Sequence, residues 1–353
     1  MTSPHDGTAR LADLTTLRLG GPAGHLVVAT DEATLVAAVR DADAAGEPVL
    51  LVSGGSNLVV ADEGFAGTVV RVATTGVHPD DDGAADDPAC GGVLVRVAAG
   101  EDWDAFVARA AASGWVGVEA LSGVPGAVGA TPVQNVGAYG QEVADTIASV
   151  RTWDRVEGRV RTFAAADCGF AYRHSRFKAE PDRYVVLEVT FQLRRGTLGA
   201  PVQYAELATA LGVEVGGRAP LGDVRDAVLR LRRGKGMVLD ADDHDTWSAG
   251  SFFTNPLLTP EQADALPPEA PRWPQPDGRV KTSAAWLIQH AGFERGHARG
   301  PVSLSTRHTL ALTNRGGAST ADLLALAREV RDGVEARFGV RLVNEPVLVG
   351  CSL

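Results

Sequence analysis

The first half of the chain mixes stretches of helical spacing with short continuous apolar runs. Residues 31–45 carry one apolar face, have two acids in their first turn and stop at Gly46, which predicts a surface helix. Residues 103–113 repeat this pattern and stop at Gly114. Apolar or β-branched runs predict strands at residues 48–52, 58–60, 93–97, 147–152, 160–163 and 184–193.

The second half of the chain is also mixed. Helical spacing predicts further helices around Leu207, at residues 224–231, at residues 284–290 and from Ser319 onward. Thr282 or Ser283 would cap the helix at residues 284–290. Residues 340–349 predict the last strand. The composition shifts near Gly196–Gly199, which we interpret as a domain boundary.

Composition and charge exclude several classes of protein. With 353 residues, 45% of them hydrophobic and 22% charged, the chain is expected to form two or three globular domains. A formal net charge of −11 opposes binding to phosphate backbones, so no nucleic-acid partner is expected. Residues 1–10 lack a signal-peptide pattern and no apolar run reaches about 18 residues, which predicts a cytoplasmic protein without a membrane partner. Three cysteines without a Cys-x-x-Cys pair favour neither disulfides nor zinc.

Two acidic clusters are candidates for metal binding. Asp80–Asp87 carries five Asp among small residues, for which a mobile surface loop is the alternative interpretation. Asp240–Asp245 combines four Asp with His244 but lacks the glycine and the terminal Glu of an EF-hand loop. We interpret both clusters as solvated acidic loops and predict no metal site.

Glycine-rich segments are the candidates for ligand binding. Gly54-Gly55-Ser56-Asn57 follows a predicted strand, and its missing Cβ atoms would let backbone N–H groups converge on a diphosphate. An ordinary β-turn needs the same residue types. Residues 122–140 are crowded with glycine and proline, which favours an irregular loop that lines a ligand. The sequence contains neither a P-loop nor a Gly-x-Gly-x-x-Gly motif after a strand.

Four polar residues are candidates for chemistry. Ser251 begins the run Ser-Phe-Phe-Thr-Asn-Pro outside any Gly-x-Ser-x-Gly motif, so it is either an acid or a loop serine that bonds to the backbone. Arg173 can bind a carboxylate through two hydrogen bonds and Lys235 can neutralise a phosphate, with solvated surface charge as the alternative for both. Glu345 follows an apolar strand, which indicates either a partner and a raised pKa or simple edge-strand exposure.

Five segments, taken in order, resemble the UDP-N-acetylenolpyruvoylglucosamine reductase family, flavin enzymes of peptidoglycan precursor synthesis. The likeness runs from about Leu17 to Gly350 and is carried by residues 16–23, 54–58, 132–140, 172–178 and 250–256. It implies an α+β fold with two domains. Residues 1–197 would form a two-part FAD-binding region of the vanillyl-alcohol-oxidase (PCMH) type, divided near residues 75–92. Residues 198–353 would form an α+β substrate-binding domain whose last strand returns to the FAD-binding region.

The resemblance also implies the residues of the site. Non-covalently bound FAD would contact Gly54, Gly55, Ser56, Asn57, Leu58, Ser122, Gly123, Pro125, Gly126, Gly129, Ala130, Gln134, Asn135, Gly137 and Ala138. The catalytic residues would be Arg173, Ser251 and Glu345. The substrate would be bound by Tyr139, Tyr204, Lys235 and Asn255. No metal is implied.

The reaction that the resemblance implies is reduction of UDP-N-acetylglucosamine enolpyruvate to UDP-N-acetylmuramate, with NADPH as electron donor, by a monomeric enzyme. Negative charge would grow beside the substrate carboxylate, where Arg173 and Glu345 would stabilise it, and Ser251 would give its proton to carbon. The alternatives are an FAD-dependent sugar or alcohol oxidase of the same fold and a non-catalytic nucleotide-sugar-binding protein. The Ser251 segment argues against the oxidase, and the joint presence of the three catalytic residue types argues against the binding protein.

Overall fold

The computed structural model describes residues 9–80 and 92–353. Within those ranges the helices are α1 (Glu32–Ala45), α2 (Trp103–Ala112), α3 (Arg176–Ala179), α4 (Ala205–Leu211), α5 (Leu221–Gly234), α6 (Pro260–Asp264), α7 (Ala284–His290) and α8 (Thr320–Phe338). The strands are β1 (Ala23–Ala29), β2 (Val49–Val52), β3 (Leu58–Val60), β4 (Phe65–Val72), β5 (Val77–Asp80), β6 (Gly92–Ala98), β7 (Trp115–Val116), β8 (Gly137–Ala138), β9 (Gln141–Glu142), β10 (Ile147–Asp154), β11 (Arg159–Ala164), β12 (Tyr184–Arg195), β13 (Leu257–Leu258), β14 (Trp273–Pro274), β15 (Val280–Lys281), β16 (Ala298–Arg299), β17 (Val302–Leu304), β18 (Leu312–Asn314) and β19 (Val347–Val349).

The chain forms two compact units, each assembled from separate segments. The first unit contains the described residues up to Ala23 together with Gly55–Phe65 and Gly234–Leu353. The second unit contains Gly24–Gly54 and Ala66–Arg233. These limits describe compactness, and the functional domains expected at residues 1–197 and 198–353 stay a prediction, as does the division near residues 75–92.

A small sheet and helix α1 form one layer of the second unit. Strands β1, β4 and β2 lie in that order, and β2 runs parallel to β4. The Asp31 side chain caps α1 by accepting from the N–H of Thr34, and Gly46 ends the helix in the left-handed conformation. Leu35 and Val39 of α1 are fully buried, and each such burial stabilises the fold by about 1.5–3 kcal/mol.

The larger sheet of the second unit is antiparallel. Its strands lie in the order β11-β10-β12-β6-β5, and β7 pairs with the end of β12. Trp103 and Phe106 of α2 contact Phe191 of β12, with ring centroids 5.9 and 5.0 Å from that ring. Strand β12 is buried along most of its length, so it forms the centre of this core.

The first unit is built around helices α7 and α8. Ser319 and Asp322 form a capping box at the start of α8, and Ser283, rather than Thr282, caps α7. Leu323 and Val330 of α8 are fully buried in a core that also contains Phe252 and Phe253. The two aromatic residues after Ser251 therefore anchor that segment in the interior.

The last strand is shorter than the sequence pattern predicts. The prediction of a strand over residues 340–349 is wrong for its first part, because regular pairing is confined to β19, which runs parallel to β3. Pro346 has no N–H to donate to a ladder and precedes this strand directly. Upstream of it, Asn344 makes a single antiparallel bridge to Phe253.

Two further sequence-based expectations concern cysteines and membrane spans. Cys168 and Cys351 are free thiols, and Cys90 lies outside the described residues. None of the helices in the described part of the chain combines the length and the hydropathy that a bilayer span requires.

Candidate active site

Ser251 and Glu345 lie on neighbouring extended segments of the first unit. The N–H of Glu345 donates a 2.8 Å hydrogen bond to the carbonyl of Phe252, and the N–H of Thr254 donates to Val343 at 3.0 Å. These two bonds flank the Phe253–Asn344 bridge and fix an antiparallel register in which Glu345 is opposite the residue after Ser251. Two predicted catalytic residues separated by more than 90 positions are thus brought together by backbone pairing.

The turn into Ser251 depends on a glycine. Gly250 has φ 71°, a backbone conformation that other residues rarely adopt, and its N–H donates to the Ser248 hydroxyl at 3.2 Å. Ser251 itself is half-buried, and the two phenylalanines that follow it are each 1% exposed. The side chain of Ser251 therefore sits at the edge of a rigid apolar core.

His308 is a neighbour of Ser251 that sequence reasoning missed. Its Nε2 atom is 3.5 Å from Ser251 Oγ. No pattern in the sequence points to it, because His308 is one of eight histidines and has no ligand spacing or motif around it. Only the pairing of loops within the first unit brings it to this position.

Asn57 of the glycine turn lies against the Glu345 segment. Its Nδ2 atom donates to the Glu345 carbonyl at 3.5 Å, and its own carbonyl accepts from the N–H of Val347 at 2.9 Å. Gly55 has φ 56°, and a Cβ there would collide with the Leu14 carbonyl. Ser56 and Leu58 flank Asn57 in the chain. All of the residues from Gly55 to Leu58 belong to the first unit.

Two predicted substrate residues of the first unit occupy different settings. Asn255 Oδ1 accepts from the N–H of Ala284 at 3.0 Å, which helps to hold the start of α7. Lys235 directly follows the end of α5 and is half-buried. The prediction that both residues bind substrate stays a prediction.

Arg173, in the second unit, lies on a tight loop that opposes the glycine- and proline-rich segment. The loop is closed by a bridge between Ala171 and His174, and Arg173 at its tip has φ 52°. Its Nη2 donates to the Gly137 carbonyl at 3.3 Å, while Lys178 Nζ donates to the carbonyl of Arg173 at 3.0 Å. The guanidinium is therefore held beside the predicted FAD residues Gly137 and Ala138.

Asn135 fixes the position of that loop. It is 1% exposed, and its Nδ2 donates to Glu142 Oε2 at 2.6 Å and to the Ala171 carbonyl at 3.2 Å. Its Oδ1 accepts from the N–H of Ala144 at 3.1 Å. Both ends of its amide are thus engaged by the protein, which gives this predicted FAD residue a structural role.

The predicted FAD residues of the second unit come together where backbones approach closely. A Cβ at Gly54 would lie 2.6 Å from Gly126 Cα, and a Cβ at Gly129 would lie 2.5 Å from that of Ala99. Gly123 and Gly126 both have positive φ, and the Ser122 hydroxyl donates to the backbone within its own turn. Pro125 and Gln134 belong to the same loop. Only this glycine pattern permits such a packing of bare backbone.

A cavity of about 150 Å³ opens beside this packing. Ser53, Gly129, Ala130 and Val133 line it together with Tyr184 and neighbouring residues of β12. Its lining is mostly apolar, and bare backbone borders it, which suits a ring-sized part of a dinucleotide such as FAD. The residues present in the second unit therefore fit the predicted cofactor.

Two predicted substrate residues meet in the second unit. The rings of Tyr139 and Tyr204 pack edge to face, with centroids 5.6 Å apart, and Tyr204 is 49% exposed.

Arg232 is a buried cation whose charge interacts with Tyr139. Burial lowers the pKa of Arg232, while its interactions with Tyr139 and Asp104 raise that pKa and so oppose the effect of burial. Asp104 in turn forms an ion pair with Arg225 at 2.6 Å. The sequence did not single out Arg232, because it reads as one of several cations on α5.

The acidic cluster at Asp240–Asp245 is not wholly solvated, so that prediction is wrong for Asp245. This residue is 3% exposed and accepts hydrogen bonds from the N–H and the hydroxyl of Thr306 and from Arg315. Burial would raise its pKa, but these donors outweigh burial and lower it. Over the described ranges, no cluster of His, Cys, Asp and Glu suits a metal ion. Of the other acidic cluster, Asp80–Asp87, only Asp80 lies within the described residues.

Comparison with known protein families assigns both halves of the chain. Residues 23–164 match the model described as FAD binding domain, and residues 242–349 match the C-terminal domain of UDP-N-acetylenolpyruvoylglucosamine reductase. With the mixed helices and strands described above, these matches confirm the predicted fold class, an FAD-binding region followed by a second α+β domain.

Individual relatives agree along the full length. The UDP-N-acetylenolpyruvoylglucosamine reductase of Cutibacterium acnes is 60% identical over 97% of this chain and 90% of its own. That of Thermobifida fusca is 58% identical over 100% of both chains. The crystal structure of UDP-N-acetylenolpyruvylglucosamine reductase from Thermus caldophilus matches with a TM-score of 0.65 and 25% identity over 97% of each chain. The chain belongs to the UDP-N-acetylenolpyruvoylglucosamine reductase family.

Proposed function

We propose that this protein uses FAD and NADPH to reduce UDP-N-acetylglucosamine enolpyruvate to UDP-N-acetylmuramate, with Ser251 as the proton donor. Membership of the reductase family supports the reaction. The observation that carries the role of Ser251 is the antiparallel register between its segment and Glu345. Hydrogen bonds lock the backbone of both segments there, which fixes Glu345 opposite Phe252, the residue after Ser251.

When bound, FAD would supply hydride transfer from NADPH to the terminal carbon of the enolpyruvyl group. Gly54, Gly126 and Gly129 would border the cofactor with bare backbone, and a Cβ at Gly54 or Gly129 would collide with neighbouring atoms of the protein. Within the second unit, Asn135 would act on the cofactor indirectly, by holding the loop that carries Arg173. In the first unit, Asn57 would add an amide group that is oriented by the Glu345 carbonyl.

Arg173 would bind the carboxylate of the substrate. Arrival of a hydride places negative charge next to that carboxylate, so a guanidinium there stabilises the charged intermediate more than it stabilises the substrate. The hydrogen bond to Gly137 and the turn at Asn135 limit the movement of Arg173. Glu345 would assist Arg173 in stabilising this charge.

Ser251 would complete the reduction by giving its proton to the carbon next to the carboxylate. A hydroxyl is a poor acid toward most groups, but an enolate that also carries a carboxylate is basic enough to take its proton. The O–H bond of Ser251 breaks as the C–H bond forms. The serine oxygen then regains a proton that originates from water.

The remaining proposals concern the substrate contacts and the setting. Tyr139 and Tyr204, already in contact with one another, would pack against the nucleotide part of the substrate. Lys235 would neutralise its diphosphate and Asn255 would bind a polar group beside Ser251. We also propose that the enzyme is a monomer and works in the cytoplasm, where NADPH and UDP-linked sugars are available.

One assay tests this function. The purified protein is expected to be yellow and to oxidise NADPH in proportion to added UDP-N-acetylglucosamine enolpyruvate, with one product molecule per NADPH and a mass gain of two hydrogens. Light scattering during the same preparation checks the monomer. The proposal would be refuted by a rate of NADPH oxidation that does not depend on the sugar nucleotide, or by rapid oxygen consumption with a sugar alcohol.

A further inference from the structure

The loop from Ser305 to Ala311 presents His308 to Ser251. His308 Nε2 is 3.5 Å from Ser251 Oγ, and the imidazole is half-buried. Hydrogen bonds of catalytic groups are often long before substrate binds and shorten in the complex. This distance therefore brings the two side chains within reach of a direct interaction.

The conformation of this loop is fixed from within. Ser305 Oγ accepts from the backbone N–H of Arg307 at 3.1 Å and of His308 at 3.2 Å. The carbonyl of His308 accepts from the N–H of Ala311 at 3.0 Å. Ser305 is fully buried, so the turn that carries His308 rests on an interior hydroxyl.

Two anchors tie the loop to the rest of the first unit. The buried carboxylate of Asp245 accepts from both the N–H and the hydroxyl of Thr306. At the other end, the N–H of Phe252 donates to the Leu310 carbonyl at 2.7 Å. Since Phe252 directly follows Ser251, His308 and Ser251 are held by the same local backbone pairing.

We propose that His308 is a positioning residue that donates a hydrogen bond from Nε2–H to Ser251 Oγ. This inference rests on the proposed function of Ser251 as proton donor. A hydroxyl oxygen accepts such a bond through a lone pair, which leaves its own hydrogen free to point at the substrate. The same bond stabilises the negative charge that develops on the oxygen as its proton leaves.

Substitutions of His308 test this role through the two half-reactions. His308→Ala is expected to slow substrate-driven flavin reoxidation by about 10- to 100-fold, with little change in NADPH-driven bleaching or in KM for the sugar nucleotide. His308→Gln keeps an N–H near the position of Nε2 and is expected to recover most of that loss. Imidazole added to His308→Ala should also restore the rate.

Matched variants keep the result interpretable. His290→Ala removes an exposed histidine that stacks on Trp286 at the end of α7, and it should leave both half-reactions unchanged. Normal reoxidation in His308→Ala would overturn the inference. So would a His308→Gln enzyme that binds FAD, keeps the wild-type melting temperature and is as slow as His308→Ala.

A second readout does not depend on turnover. Nitrogen-15 NMR of the wild-type imidazole should show a proton on Nε2 of His308, since this atom is the expected donor. A neutral ring with its proton on Nδ1 only would contradict the inference. Ser251→Ala run in parallel separates the two proposals: if it reacts normally both fail, whereas if it is inactive and His308→Ala reacts normally only the role of His308 fails.

Discussion

The backbone N–H of Glu345 donates a 2.8 Å hydrogen bond to the carbonyl of Phe252, the neighbour of Ser251. This one contact places the backbone of Glu345 next to the segment that begins at Ser251, although the two lie in distant parts of the sequence. It also explains why the Ser-Phe-Phe sequence is needed, since Phe252 and Phe253 are both fully buried in the core of the first unit. The proposed role of Ser251 therefore depends on strand register as well as on the identity of the serine.

Arg173→Lys tests whether the guanidinium stabilises the negative charge that hydride transfer to the substrate creates. Lysine keeps the charge but loses the planar pair of donors that binds a carboxylate. We expect substrate-driven reoxidation of the flavin to slow by about 10²-fold, and NADPH-driven bleaching to stay normal. The control is Arg176→Lys in α3, where the guanidinium lies over the ring of Phe163. Equal rates for the two variants would count against the role of Arg173.

Gly54→Ala tests the cofactor cradle. The added Cβ would lie 2.6 Å from Gly126 Cα, so one of the two backbones must move. Overpacking of this kind costs about 1–3 kcal/mol, which we expect to be measured as weaker binding of FAD. The ratio of flavin to protein absorbance and a titration of the apoprotein with FAD measure this. Gly222→Ala in α5 meets no atom within 4 Å and should bind FAD normally. Wild-type affinity in Gly54→Ala would contradict the assignment.

Asn135→Ala tests the structural role of this amide. The substitution removes three hydrogen bonds and leaves a residue with a Cβ at φ 47°. We expect a loss of about 2–4 kcal/mol in the free energy of unfolding. Asn135→Gly removes the same bonds but relieves the backbone strain, so it should lose less. Urea denaturation of both variants checks this order, and a more stable alanine variant would disprove it.

The carboxyl group of Asp154 is expected to make the stability of the fold depend on pH. Its side chain is fully buried, and burial by itself raises its pKa. Hydrogen bonds from Arg183, Arg161 and the backbone of Glu157 outweigh the effect of burial and hold the pKa at about 2. Because the folded pKa is below the ordinary 3.8, the carboxylate stabilises the fold above about pH 4 and loses this effect as the pH falls toward 2.

Asp154→Asn is accordingly expected to destabilise the protein by about 1–3 kcal/mol near neutral pH. The difference in melting temperature from wild type should shrink steadily below about pH 4. Circular dichroism melts over this range provide the measurement. A difference that stays constant down to pH 2 would show that Asp154 does not titrate as described.

Local signals in the sequence were sufficient for the longer helices, whereas the short helices α3 and α6 were not predicted. Asp31 and Gly46 bound α1, and the Ser319–Asp322 capping box starts α8, because caps satisfy backbone groups within the same few residues. The parallel pairing of β2 with β4 and of β3 with β19 has no such local signal. Strand partners are chosen by the whole fold, so the two strands on either side of the glycine turn join different sheets.

The candidate site likewise combines residues that sequence motifs identify with contacts that only the fold determines. Motifs identified Arg173, Ser251 and Glu345 as candidates, but which atoms hold them in place could not be predicted. Composition predicts a solvated acid at Asp245, whereas its burial against Thr306 and Arg315 depends on a loop some 60 residues away. His308 reaches Ser251 through that same loop, which no spacing in the sequence reveals.

The most direct test of the account is the reaction of Ser251→Ala in two separate half-reactions. We predict that NADPH bleaches the bound flavin at nearly the wild-type rate, because that step needs no proton from Ser251. Reoxidation by UDP-N-acetylglucosamine enolpyruvate should slow by at least about 10³-fold in a stopped-flow experiment without oxygen. Reoxidation at the wild-type rate would show that the proton comes from another group.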